Sequence, residues 1–373
     1  MVNKFSTAKL SRILPLVVIG IILFTGHPLA YWCGMFLLIA LCLRKEDRIL
    51  FSISVTGLTG LALARIMVFE LWPQVVHIMN RNITGLIIAR HPHAVRLAAV
   101  YPAVLVHRLT GQNIHMAFTM LCVLYIAGTI IIIKNILVLA RIPNAFIRAL
   151  IGLALYTGIA LQMNGRMISA YFGIALLIYI FTNILVKRVS SPQPVVLGFG
   201  VISQVAVAFF LTMVSSGTML VSFALILVMV VYMAGTKNSP GYSIVAIFLV
   251  LITGAVGLYY IAFMTYRNVA FFGGDLYGII DHGLGRFIDL FIWARVAVVL
   301  ILPVAVIVLC VVVYFVYRRS PMLLPTFLAV PISFAGAVFG ITVGTMALPA
   351  LIILFLAALP RMTFNQYAVS TAS

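Results

Sequence analysis

Uninterrupted apolar runs of roughly 20 residues recur along this chain, and they leave it few ways to fold. Twelve fall at about 13–26, 28–43, 49–70, 113–133, 147–163, 167–186, 194–214, 218–235, 242–264, 288–315, 321–340 and 344–359. A bilayer core satisfies no backbone group, so only helices and closed barrels cross it. A barrel needs short segments alternating apolar and polar residues, and these runs do not alternate. The expected fold is all-α: a polytopic membrane protein of about 12 transmembrane helices, with residues 1–373 forming one integral membrane domain. A soluble core is excluded, because 64% of the residues are hydrophobic and 8% are charged. The basic start MVNKFSTAKLSR precedes an apolar run without a small-residue cleavage site, so it is read as part of an uncleaved first helix.

The connections assign the sides. RKEDR (44–48), KNILVLARIPNAFIR (134–148), KRVSSPQP (187–194), TKNSPG (236–241) and YRRSP (317–321) all carry Lys or Arg, which marks the cytoplasmic side. Both termini are expected on that side. There Glu46 and Asp47 are most simply solvated. All six lysines fall on it, yet half of the arginines do not. Arg81, Arg90, Arg96, Arg108, Arg166, Arg267 and Arg286 fall on the other side, and Arg65 and Arg295 lie just inside helix ends facing it. Arginine without lysine points to bidentate recognition of carboxylate or phosphate. A net charge of +18 would indicate nucleic acid in a soluble protein. In a membrane protein it reflects orientation and anionic lipid, so no nucleic acid is expected.

Two outer segments are long. Residues 71–112 hold Arg81, Arg90, Arg96, Arg108 and four of the seven histidines, with no acid. Apolar stretches there are too short to span, so a half-inserted or interfacial helix interrupted by Pro92 and Pro102 is expected. Adhesion to anionic headgroups is the competing reading, although lysine would serve it equally well. Residues 265–287 bring together Arg267, Asp275, Asp281, His282 and Arg286, with Asp289 just beyond. Glycines such as Gly278 let a ligand approach the backbone, and Tyr266, Phe271, Phe272, Tyr277 and Phe287 offer rings for sugars. A turn-rich loop whose charges pair internally is the alternative. Arg65 and Glu70, five residues apart at one helix end, are a functional or a structural pair. Arg166 is the single charge of its turn, and Arg295 needs Asp289 or a ligand phosphate as partner. Cys33, Cys42, Cys122 and Cys310 form no CxxC pair. His91 and His93 lack a nearby carboxylate, and none of His27, His77, His107, His115 or His282 completes a ligand set, so no metal is expected.

At these residues the chain resembles the Wzy/EpsG-like polysaccharide polymerases. Three features carry the likeness: ten to fourteen spans with two enlarged periplasmic loops, arginine in both loops, and Arg267 followed by ten residues and then Gly278. The stretch NGRMISAYFGIALLIY (164–179) is similar to the Arg-led helix of EpsG-like proteins. The first loop carries no such spacing. The resemblance implies joining of undecaprenyl-diphosphate-linked oligosaccharides at the periplasmic face of a bacterial inner membrane. A glycan leaves the diphosphate for a sugar hydroxyl on a second lipid-linked unit. Arginines then stabilise the leaving diphosphate, and His282, Asp281 or Glu70 accepts the proton. No cofactor is needed. A flippase and a chain-length regulator are the implied protein partners, beside membrane lipid. An O-antigen ligase, another lipid-dependent glycosyltransferase and a polysaccharide or lipid transporter compete with this reading.

Overall fold

The computed structural model of the protein describes residues 26–89, 91, 93–161, 165–190, 199–214, 216–234, 321–336 and 345–359, with 254, 255, 259, 262, 263 and 266 singly. The expected runs 13–26, 242–264 and 288–315 lie almost wholly outside these residues, as does the loop 265–287 apart from Tyr266. Every regular element among the described residues is helical, with no strand.

Along the chain these are α1 (Pro28–Cys42), α2 (Lys45–Leu63), three short to medium helices α3 (Pro73–Ile78), α4 (Ile83–Ile88) and α5 (Ala94–Thr110), then α6 (Ile114–Leu139) and α7 (Ala145–Ala160). A 3₁₀ turn (Gly165–Met167) leads into α8 (Ile168–Ser190), followed by α9 (Phe199–Thr212) and α10 (Ser216–Ala234). Further on, α11 (Leu324–Gly336) and α12 (Leu348–Ala358) each follow a 3₁₀ turn. By length and composition, Ile114–Leu139 and Ile168–Val189 suffice to cross a membrane.

Helix α6 is the axis. Its start is fixed by Asn113, whose side chain accepts N–H bonds from His115 at 2.9 Å and Met116 at 3.4 Å. At 1.5 Å per residue its 26 residues reach about 39 Å. Helices α2, α5, α7 and α8 pack around it, and α8 in turn carries α9. Contact between α8 and α9 depends on Gly173, where an added Cβ would stand 2.6 Å from the Ala208 carbonyl oxygen.

Contacts sort the helix ends into two groups. The C-termini of α1, α6 and α12 meet the N-termini of α2 and α7, through Arg48, Lys134 and Arg148. This is the lysine end. The N-termini of α1, α6 and α8 gather at the opposite end with the C-terminus of α2, through Trp32, Leu71 and Gly165. Residues 64–72 cross that end as a non-helical strap, so it is called the strap end.

Four expectations fail here. The run 49–70 is not one helix: α2 stops at Leu63, and Arg65 adopts φ +58° beyond it. Arg65 is therefore outside the helix. Pro102 does not interrupt its segment, because α5 continues through it. The exposed proline faces away from α6, and the Tyr125 hydroxyl donates to the Ala99 carbonyl at 3.0 Å, tying this part of α5 to α6. The 134–148 connection shrinks to residues 140–144, because α6 runs on to Leu139. Lys134 is inside α6 and 5% exposed. It pairs with Asp47 at 2.9 Å and Glu46 at 3.3 Å. Glu46 is exposed as expected, but Asp47 is buried and not solvated.

Candidate functional site: the strap end

The strap is built by alternation. Met67, Phe69 and Leu71 are buried, whereas Ile66, Val68 and Glu70 are exposed. A six-residue alternation is the period of extended chain, not of a helix. Extended backbone inside a helical bundle needs outside partners for its N–H groups. Thr119 Oγ1 accepts from Phe69 at 2.9 Å, and His115 Nδ1 accepts from Leu71 at 3.0 Å. Phe69 also lies against Gly165, where a Cβ would meet the Phe69 side chain at 2.6 Å. The turn bearing Arg166 thus abuts the residue before Glu70.

Arg65 is placed by the way α2 stops. Its N–H bonds to the Ala62 carbonyl at 3.0 Å, and Ile66 N–H bonds to Leu61 at 3.0 Å. This is the helix stop in which glycine normally takes the left-handed position. Arginine there costs about 1–2 kcal/mol of backbone strain. Arg65 and Glu70 are both exposed and form no ion pair with each other or with any described residue. The paired reading of these two is thus not realised.

The other described arginines of the outer set divide by place and exposure. Arg81 is exposed beyond α3 and makes no side-chain hydrogen bond among the described residues. Arg108 is exposed at the end of α5, and one terminal nitrogen donates to the Met79 carbonyl at the end of α3. That bond brings Arg108 beside the turn leading to Arg81. Arg96 is half-buried in the first turn of α5, with a terminal nitrogen 3.1 Å from His93 Nδ1. A cation at a helix N-terminus adds to the positive end of the helix dipole and strengthens its attraction for an anion. Glu70 is the single described acid at this end, which holds Arg65, Arg81 and Arg108, since Glu46 and Asp47 belong to the lysine end. The arrangement favours a multiply charged oxyanion.

The histidines are used individually. His27 Nδ1 accepts from Leu29 N–H at 3.2 Å and caps α1. His91 Nδ1 accepts from His93 N–H at 3.3 Å. His107 Nδ1 lies 2.6 Å from the Gln112 carbonyl, and Gln112 Oε1 accepts the Trp32 indole N–H at 2.8 Å. No group of three or more His, Cys, Asp or Glu residues that could hold a metal ion occurs among the described residues.

Of the expected site residues, the structure brings Arg65, Glu70, Arg81 and Arg108 to one end, with the backbone of Arg166, whereas Arg96 lies near the other terminus of α5, about 20 Å away along that helix. Arg90, Arg267, Gly278, Asp281, His282, Arg286 and Arg295 lie outside the described residues, as does the Arg166 side chain. The sequence offered no signal for the tautomer of His107, which rests on a carbonyl five residues on. No family model, no curated protein and no solved structure matches this chain.

Proposed function

We propose that this chain is a glycosyltransferase of the bacterial inner membrane that polymerises undecaprenyl-diphosphate-linked oligosaccharide repeat units. It has about 12 spans and cytoplasmic termini, and the strap end faces the periplasm. Arg65, Arg81 and Arg108 hold diphosphate together with Arg90, Arg166, Arg267, Arg286 and Arg295, while the second long loop supplies sugar contacts. The observation that carries this reading is the exposed, acid-poor arginine set at one end, with no lysine in it among the described residues. Guanidinium forks suit a leaving diphosphate, where charge develops as the glycosyl bond breaks. Multi-pass insertion is supported by the apolar outer face of α2, where Ile49, Ile53 and Leu63 are about half exposed.

A deletion strain tests the reaction. Loss of a polymerase leaves surface glycan with a single repeat unit. Long polymer retained on undecaprenyl diphosphate would instead identify a ligase, and repeat units held on the cytoplasmic leaflet would identify a flippase. Orientation has its own check: single cysteines near residues 81 and 275 should react with an impermeant reagent from the periplasm, and one near 190 should not. Outside labelling at 190 reverses the topology and removes the diphosphate argument.

A further inference from the structure

The histidines on and around α5 differ in where they carry their proton. A neutral imidazole has one N–H, and the partner of Nδ1 decides its position. In His27, His91 and His115, Nδ1 accepts main-chain N–H bonds. In His93, Nδ1 faces Arg96, and a guanidinium only donates. These four rings, when neutral, carry hydrogen on Nε2 and present a donor there. His107 is reversed. Its Nδ1 meets the Gln112 carbonyl, which only accepts, so the proton stays on Nδ1 and the lone pair sits on Nε2. Among the described residues nothing bonds to that Nε2. The carbonyl is itself held, because Gln112 takes the Trp32 indole N–H on its side chain and donates its N–H to Thr110 Oγ1 at 3.3 Å. The half-buried ring is thus oriented from behind, as a general base must be. Next in the chain, Arg108 retains guanidinium donors beyond the one given to Met79.

We propose that His107 is the general base of the glycosyl transfer, an assignment that rests on the polymerase reading. Nε2 takes the proton of the acceptor sugar hydroxyl as its oxygen bonds to the anomeric carbon of the donor. The bond from that carbon to the diphosphate oxygen breaks, and its electron pair leaves with undecaprenyl diphosphate. The imidazolium then returns its proton to water. On the elements packed against α5 at the strap end, the titratable and charged groups are His27 and Tyr31 by α1, His77 and Arg81 by α3 and α4, and His115 on α6, while α5 itself adds, along its length, His93, Arg96, Tyr101 and Arg108. None is a carboxylate.

Diethyl pyrocarbonate acylates an imidazole lone pair. With the full chain in detergent, peptide mapping should find His107 modified ahead of His27, His91, His93 and His115. Lipid-linked oligosaccharide should protect it, a readout that needs no variant. In vesicles carrying that oligosaccharide, His107→Asn keeps an N–H donor near the Nδ1 position and deletes Nε2. It should slow polymer formation by about 10²- to 10⁴-fold and abolish the acid limb of the pH–rate profile. Slow labelling of His107, absence of protection, or a His107→Asn variant with wild-type rate and acid limb overturns the base assignment while leaving glycosyl transfer standing. A wild-type chain that labels first at His107 yet makes no polymer at any pH overturns both.

Discussion

Cations do different work at the two ends of the bundle. At the lysine end Lys134, Arg148 and Arg48 are bonded to the chain, while Arg44, Lys45 and Arg141 are exposed. Lys134 joins α6 to the first turn of α2 through Asp47. Arg148 is 1% exposed and donates to the carbonyls of Pro143, Leu356 and Leu359, closing the C-terminus of α12 onto α7. Arg48 does the same for α1, donating to Ala40 at 2.9 Å and to Leu41 and Leu43. At the strap end Arg65 and Arg81 are exposed and make no side-chain hydrogen bond among the described residues. Helix C-termini lie at both ends, and carbonyls left over there draw cations: Arg108 meets that of Met79 as Arg148 meets that of Leu359. Arg65 and Arg81 lie beyond the last turns of α2 and α3, and among the described residues their side chains keep their donors for something else.

The largest expected effect tests the inward half of that contrast. Lys134→Met strands the buried Asp47 carboxylate and should cost about 3–5 kcal/mol, read as a lower thermal midpoint in detergent. Lys134→Met with Asp47→Leu should recover most of it, and a single variant as stable as wild type would erase the distinction between the ends. Next comes Arg148→Gln, which strips charged donors from the α12 carbonyls. A loss of about 2–3 kcal/mol is expected by the same measurement. The strap end should behave otherwise. Arg81→Lys should shift stability by less than about 0.5 kcal/mol, since the side chain is exposed, yet reduce polymer length in a complemented deletion strain. Full-length polymer from the lysine variant would return this end to simple headgroup adhesion. Smallest in stability, and sharpest in meaning, is Arg65→Gly. Relief of the left-handed backbone should leave the protein equally stable or up to about 1 kcal/mol more so, while polymer output falls. A destabilised Arg65→Gly protein would show that this side chain holds the fold.

Helix content was legible because continuous apolar runs permit little else. The runs 28–43 and 167–186 correspond to α1 and α8 to within a few residues. The strap was not legible. Ile66-Met67-Val68-Phe69-Glu70-Leu71 follows an apolar helix without a break in hydropathy, and its alternation differs from helical spacing in burial alone. Arg65 hid the boundary, since glycine is the residue that signals a left-handed stop. Lys134 misled in the opposite way. A lysine at the end of GTIIIIK reads as the membrane limit, and only Asp47, 87 positions earlier, explains why the helix carries it onward. For the candidate site, arginine-without-lysine identified an end of the molecule, but convergence depends on bonds such as Arg108 to Met79, which span 29 positions and leave no local trace.

The strap also constrains the order of assembly. Phe69 and Leu71 find their acceptors 50 and 44 positions later, on Thr119 and His115. Its packing partner Gly165 emerges later still. A ribosome delivers these segments one after another, so the first two helices are made well before the strap has anything to bond. Until α6 arrives, residues 64–72 and the three helices behind them have no scaffold against which to settle. Insertion of α6 therefore organises what precedes it, and a chain arrested before residue 119 should leave this end open to protease while α1 and α2 are already formed.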